Sequence, residues 1–202
     1  MYDPTKTEVE QQLRKTESLI TEIGDTVAGH IDTQTADGRP AVGRNVQHGA
    51  LGYRILGIPG ESYLKVEAGF DAAEVLVAES TAAAATDGGS QVISPMSKDE
   101  ATSEIRDALD EEDIPEVRVD LSERLVSPGV AASYNTDGEL VTGFTVNKLI
   151  WPFEGDVAVS EFYDSVQTVV SLTWSAKQLL VHEYGLRDLL DGSGPSSVRG
   201  IQ

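Results

Sequence analysis

The residues best equipped for chemistry are three histidines, His30, His48 and His182, in a chain that carries 34 aspartates and glutamates. A zinc site usually draws two ligands from one short stretch, a few residues apart. No two of these histidines stand that close, so their spacing supports no metal centre. His182 falls near the end of an expected helix, where an imidazole complements the helix dipole. The densest acidic run is Asp107, Asp110, Glu111, Glu112, Asp113 and Glu116. It lacks the alternating acids and central glycine of a calcium loop. It reads as a solvated helix end, with weak cation binding as the functional alternative. Gly57-Ile58-Pro59-Gly60 has neither the lysine of a phosphate loop nor the glycine spacing of a dinucleotide turn. No Gly-x-Ser-x-Gly elbow occurs. With no cysteine there is no thiol nucleophile, iron–sulfur ligand or cysteine zinc site. The expectation is a protein that is not an enzyme and holds no metal or cofactor.

Charge is the strongest global signal. Against 34 acids stand 15 lysines and arginines, for a net charge of −19. In dilute buffer such a surface repels itself. At about 1 M salt the Debye length falls to about 3 Å and the repulsion is screened. The composition is similar to that of haloarchaeal cytosolic proteins. The acids are spread over the whole chain, as a solvated surface requires, and are not gathered in one tail. A surface that binds a basic partner or mimics nucleic acid is the alternative. Direct DNA or RNA binding is not expected, because no basic patch exists to neutralise phosphates. No apolar run reaches the eighteen residues of a spanning helix, and Met1 to Glu10 has no apolar signal core. These features predict no membrane insertion and a cytoplasmic, high-salt location, with a virion as the alternative.

The elements that would position any site are read from periodicity. The stretch from Val130 to Leu190 organises the rest. A strand, an Asp137-Gly138 turn and a second strand ending near Trp151 form a hairpin, since Asp-Gly supplies the positive φ of a tight turn. Pro152 and Gly155 stop it. A helix capped by Asp156 or Ser160 then carries one stripe of Phe162, Val166, Val169, Ala176 and Leu180, with Thr173 interrupting. A second stripe lies beside it: Tyr163, Val170, Trp174 and Val181. Two adjacent stripes are wider than one sheet contact needs, so the helix is either sunk between layers or shared with a partner.

Upstream, Thr5 to Ala28 reads as a helix whose seam is Val9, Leu13, Thr16, Ile20, Ile23 and Val27, ended by Gly29. Glu8, Gln12, Lys15, Glu22 and Asp25 mark its wet side. Ile31–Thr35 and Val42–Gln47 suit short strands around an Asp37-Gly38 hairpin. Tyr53–Ile58 is a clearer strand, followed by a Pro59-Gly60 type II turn. From Tyr63 to Phe70 the alternation puts Leu64, Val66, Ala68 and Phe70 inward, with Tyr63, Lys65 and Glu67 wet. Ala73–Glu79 reads as a further strand through Val75 and Val77, with a short helix as the alternative, and Ser80–Pro95 as a loop. Ser97-Lys98-Asp99-Glu100 is a capping box opening a helix to about Glu112. Val117, Val119 and Leu121 alternate as a half-buried strand. Residues 191–202 read as a frayed tail. The architecture expected is one α+β domain over residues 1–190. It has an antiparallel sheet, with N-terminal, middle and C-terminal helices packed mainly on one face.

This order of elements resembles the type III secretion chaperone-like fold, which includes the YbjN-type domains. The likeness is carried by Tyr53 to Phe70 in the first half of the sheet. In the second half it is carried by Val130 to Leu180, where the last helix is entered through Ser160-Glu161-Phe162. It spans about half the chain and is a pattern of elements with no catalytic residues to transfer. The chain departs from it by additional strands before Tyr53 and by the Ser80–Pro95 insertion. The resemblance implies a homodimer that holds segments of other proteins on a sheet face or groove, an analogy of fold.

Three functions therefore compete. A self-associating protein-binding module, chaperone- or adaptor-like, would use Val9, Leu13, Ile20 and Ile23 on the first helix, or Phe162, Tyr163, Val166, Val170 and Trp174 on the last. A structural subunit of a virion or secretion apparatus would use the first seam and the tail as assembly arms. A small-ligand or metal-dependent enzyme would need a pocket where histidine and carboxylates converge.

Overall fold

The computed structural model describes residues 2–35, 37–71, 73, 77, 97–108, 129–137 and 140–178. The expected strand at Val117–Leu121, the Ser80–Pro95 loop, the acidic run from Asp110 onward, His182 and the C-terminal tail lie outside them.

Helix α1 spans Lys6–Glu22. Thr5 caps it: the Glu8 N–H donates to the Thr5 hydroxyl, and the Glu8 carboxylate accepts from the Thr5 N–H at 2.8 Å. The helix does not continue to Ala28. Gly24 takes φ +88°, its N–H donates to the Thr21 carbonyl at 3.1 Å, and the Asp25 N–H donates to the Ile20 carbonyl at 3.0 Å. That pair of bonds is a Schellman stop, which needs a residue free to adopt positive φ. Strand β1 (Thr26–Gln34) follows at once, so Val27 and Gly29 belong to a strand, and Gly29 ends no helix.

Strands β2 (Pro40–His48), β3 (Leu51–Gly57) and β4 (Leu64–Asp71) continue as antiparallel neighbours. The Asp37-Gly38 hairpin is present, with Gly38 at φ +80° and the Thr35 N–H donating to the Arg39 carbonyl at 2.8 Å. The expected turn after β3 also forms: Gly60 sits at φ +91° and the Glu61 N–H donates to the Ile58 carbonyl at 2.9 Å. Helix α2 spans Lys98–Ala108. The strands β5 (Val130–Asp137) and β6 (Leu140–Ile150) and helix α3 (Val159–Gln178) complete the order. The class is α+β: a six-stranded antiparallel sheet, in the order β1-β2-β3-β4-β6-β5, with N-terminal, middle and C-terminal helices. Two described residues of the stretch read as a strand at Ala73–Glu79, Ala73 and Val77, are helical. Its alanines and glutamates favour a helix over a strand.

The chain divides into two compact units. One comprises Met1–Gly69, Ser127–Ala132 and Thr145–Thr173, the other Phe70–Val126, Ser133–Phe144 and Trp174–Gln202. In the first unit the core joins Val9, Leu13 and Ile20 of α1 to Phe162, Val166, Val169 and Val170 of α3. Both sets rest on Val42, Val46, Tyr53, Ile55, Leu64, Val66, Ala68 and Ile150 of the sheet. The pairings Val42↔Gly57, Val46↔Tyr53 and Ile55↔Val66 put these strand residues on one face. Helix α3 begins at Val159, and its first backbone bond runs from Phe162 N–H to the Ala158 carbonyl. Neither Asp156 nor Ser160 therefore occupies the cap. In the second unit, Ser97 caps α2 through reciprocal bonds with Glu100. Phe70 and Phe144 pack with ring centroids 6.2 Å apart.

Candidate functional site

Three polar arrangements in the first unit are built from several elements each. The first lies just past the stop of α1. Asp25, its side chain only 6% exposed, faces His48 at the end of β2, with Nδ1 2.9 Å from one carboxylate oxygen. A carboxylate only accepts, so Nδ1 carries the proton. Nε2, 3.1 Å from the Gln167 amide nitrogen on α3, is then an acceptor for that amide. The helical pattern places Asp25 on the wet side of the first helix, but the Schellman turn carries it inward. Tyr53 packs edge-on against the imidazole, centroids 6.4 Å apart, and its buried hydroxyl lies beside the Asp25 carboxylate without a well-formed hydrogen bond. Burial, and then the neighbouring Asp25 carboxylate, push its ionisation far above the ordinary phenol range. An Asp–His pair can shuttle protons when the outer imidazole nitrogen faces a substrate. Here that nitrogen is taken by Gln167, so the cluster ties β2 to α3.

The second arrangement is Arg44, 2% exposed on β2. Its Nε donates to Glu17 at 2.6 Å, Nη2 to Glu10 at 3.3 Å and Nη1 to the Gly43 carbonyl at 2.9 Å. Glu10 and Glu17 stand one side of the α1 seam, seven residues apart, and reach over the guanidinium together. The third is Glu67, expected on the wet face of β4 but only 4% exposed. Arg54 and Lys65 neutralise it, at 2.5 Å each. A buried charge persists only when paired in this way. A groove of about 230 Å³ lies between α1 and the segment before α3, lined by Gln12, Lys15, Leu19, Pro152, Asp156 and Val157 among others. Among the described residues no three His, Asp or Glu side chains gather at metal-binding distance.

The apolar candidates divide sharply. Val9, Leu13 and Ile20 have no exposed surface and Ile23 is half-buried: the first seam is spent on the protein's own core. Phe162 and Val166 are likewise fully buried, and Val170 is 7% exposed. Tyr163 is different, at 44% exposure. In the second unit Trp174 is 47% exposed, with the Lys177 ammonium 5.9 Å from its ring. The second stripe of α3 is thus wet at its aromatic positions and dry at Val170. The Asp25–His48–Gln167 cluster and the Arg44 clamp were not found from sequence. Their members come from separate elements and share no local spacing.

No protein-family model matches this sequence, and no curated protein does. Among solved structures, an uncharacterized protein from Methanothermobacter thermautotrophicus is similar in fold. Its TM-score is 0.56 at 13% identity, with 85% of this chain and 98% of that chain covered. The likeness is one of architecture alone. Among the described residues no helix is long and apolar enough to cross a membrane.

Proposed function

We propose that the protein is a non-enzymatic binding module, chaperone- or adaptor-like, that self-associates and works in a high-salt cytoplasm. The observation that carries this reading is Tyr163. Helix α3 buries Phe162, Val166, Val169 and Val170 in the first unit's core, yet holds a tyrosine 44% exposed beside them. A tyrosine offers large apolar area and a polar tip at low entropic cost, which is why it recurs in protein-contact surfaces. The acidic surface of net charge −19 fits work at high ionic strength. The element order of helix, strands, capped helix, hairpin and long helix supports the chaperone-like analogy. Light scattering in molar salt, joined to a photoreactive residue at position 163, tests it. The reading requires an oligomer and a protein cross-linked at that position. A strict monomer whose position 163 captures only solvent refutes it.

A further inference from the structure

β1 is the first strand of the sheet order, and among the described residues no strand pairs with its outer edge. Its residues alternate between exposed and half-buried from Thr26 to Ile31 and are exposed from Asp32 to Gln34. Natural edge strands are usually guarded by lysine, proline, a central bulge or short length. β1 is nine residues long and has no lysine, arginine or proline. Its irregularity, between Val27 and Gly29, sits at one end. In a chain with 34 acids, this strand holds a single charged residue, Asp32.

The ladder fixes which backbone groups face outward. Thr35 bonds Arg39 directly, so the alternation of an antiparallel pair makes Thr33↔Ala41 and Ile31↔Gly43 the bonded pairs with β2. Gln34↔Pro40 falls between the bonded pairs Thr35–Arg39 and Thr33–Ala41, where the missing proline N–H costs nothing. The N–H and C=O groups of His30, Asp32 and Gln34 therefore point away from the sheet.

We propose that a second copy of this chain pairs antiparallel with β1, its two-fold axis passing through Ile31. This rests on the self-association just proposed and supplies its geometry. In that register His30 of each copy stands opposite Asp32 of the other, and both pairs exchange backbone bonds through their outward groups. An imidazole N–H meets a carboxylate twice, on the face where Lys6 of α1 already approaches Asp32 at 3.4 Å. On the opposite face the two Ile31 side chains meet at a close, non-bonded position. Shifting the axis to Asp32 would set the two carboxylates against each other, and shifting it to His30 would pair the imidazoles. The register through Ile31 is the one that joins opposite partners.

Amide hydrogen exchange in molar potassium chloride, read at low and high protein concentration, tests the register. Protection should grow with concentration at His30, Asp32 and Gln34, while Ile31 and Thr33, already bonded to β2, stay unchanged. His30→Asp should weaken the dimer about tenfold by opposing carboxylates twice. The swap His30→Asp with Asp32→His should restore it. Both positions are exposed, so the fold is not at stake. A dimer that ignores His30→Asp and leaves these amides unprotected overturns the edge pairing while self-association stands. A monomer at every concentration overturns both. Protection that appears only with an unrelated extended peptide overturns the second copy as occupant.

Discussion

Gly57 decides how closely α1 can lie on the sheet. A Cβ built there would come within 2.2 Å of Val9 Cγ1 and 2.8 Å of Leu64 Cδ2. Val9 is fully buried and β-branched, so its helix rotamer is nearly fixed and it cannot turn away. Gly57→Ala should therefore overpack this contact and cost about 2 kcal/mol, after the small gain from stiffening the unfolded chain. Val9→Ala alone should also cost about 2 kcal/mol, for lost burial and the cavity left behind. Combined, the two changes should not add: the new methyl fills the space vacated by valine, and the double variant should lose about 2 kcal/mol rather than about 4. Gly43 is the control. A Cβ there meets the Ile55 carbonyl oxygen at 2.2 Å, which is backbone, so Gly43→Ala should be at least as costly and Val9→Ala should not rescue it. Urea unfolding followed by circular dichroism, at fixed high salt, gives all five values. Additive losses for Gly57 and Val9, or equal rescue at Gly43, would refute the packing argument.

Tyr53→Phe should be neutral or stabilise by about 1 kcal/mol, because no well-formed hydrogen bond holds the buried hydroxyl beside Asp25. A loss of similar size in urea unfolding would show that the hydroxyl is bonded. Removing both Glu10 and Glu17 as alanines should destabilise by about 3 kcal/mol by stranding the Arg44 charge. Adding Arg44→Met to that pair should recover most of the loss. Glu8, bonded to the Tyr2 hydroxyl and then to Thr5, is held down to about 2. Its folded value is depressed, so its contribution is present above the ordinary glutamate range and disappears as pH falls through about 2. A carboxyl-carbon titration should find that midpoint, and Thr5→Ala should move it upward. Thr16, 3% exposed in the α1 seam, already satisfies its hydroxyl on the Gln12 carbonyl at 2.9 Å. Thr16→Val trades that bond for a buried methyl and should change stability by less than about 1 kcal/mol, as thermal unfolding would show.

What was legible in the sequence followed from patterns confined to one element. The seam of Val9, Leu13 and Ile20, the stripe of Phe162, Val166 and Val169, the turns at Gly38 and Gly60 and the box at Ser97 and Glu100 each involve neighbours a turn or two apart. A helix period or a positive φ is set by such neighbours. The Asp25–His48–Gln167 cluster, the Arg44 clamp and the buried Glu67 instead depend on strand register, and register depends on partners far along the chain. The pattern misleads at one point. Ile23 and Val27 continue the heptad of α1 past its true end and hide Gly24, the residue that stops the helix at positive φ. A helix running to Ala28 leaves no room for the first half of β1, puts Asp25 on its wet side and reduces the edge strand to a few residues of hairpin. The stop at Gly24 sets all three. Asp25 turns inward to His48, β1 reaches nine residues, and the sheet gains a long, nearly uncharged border on a chain of net charge −19. Two such borders can approach with little of the repulsion that the rest of the surface imposes. Association along β1 should therefore respond to salt less steeply than the overall charge implies.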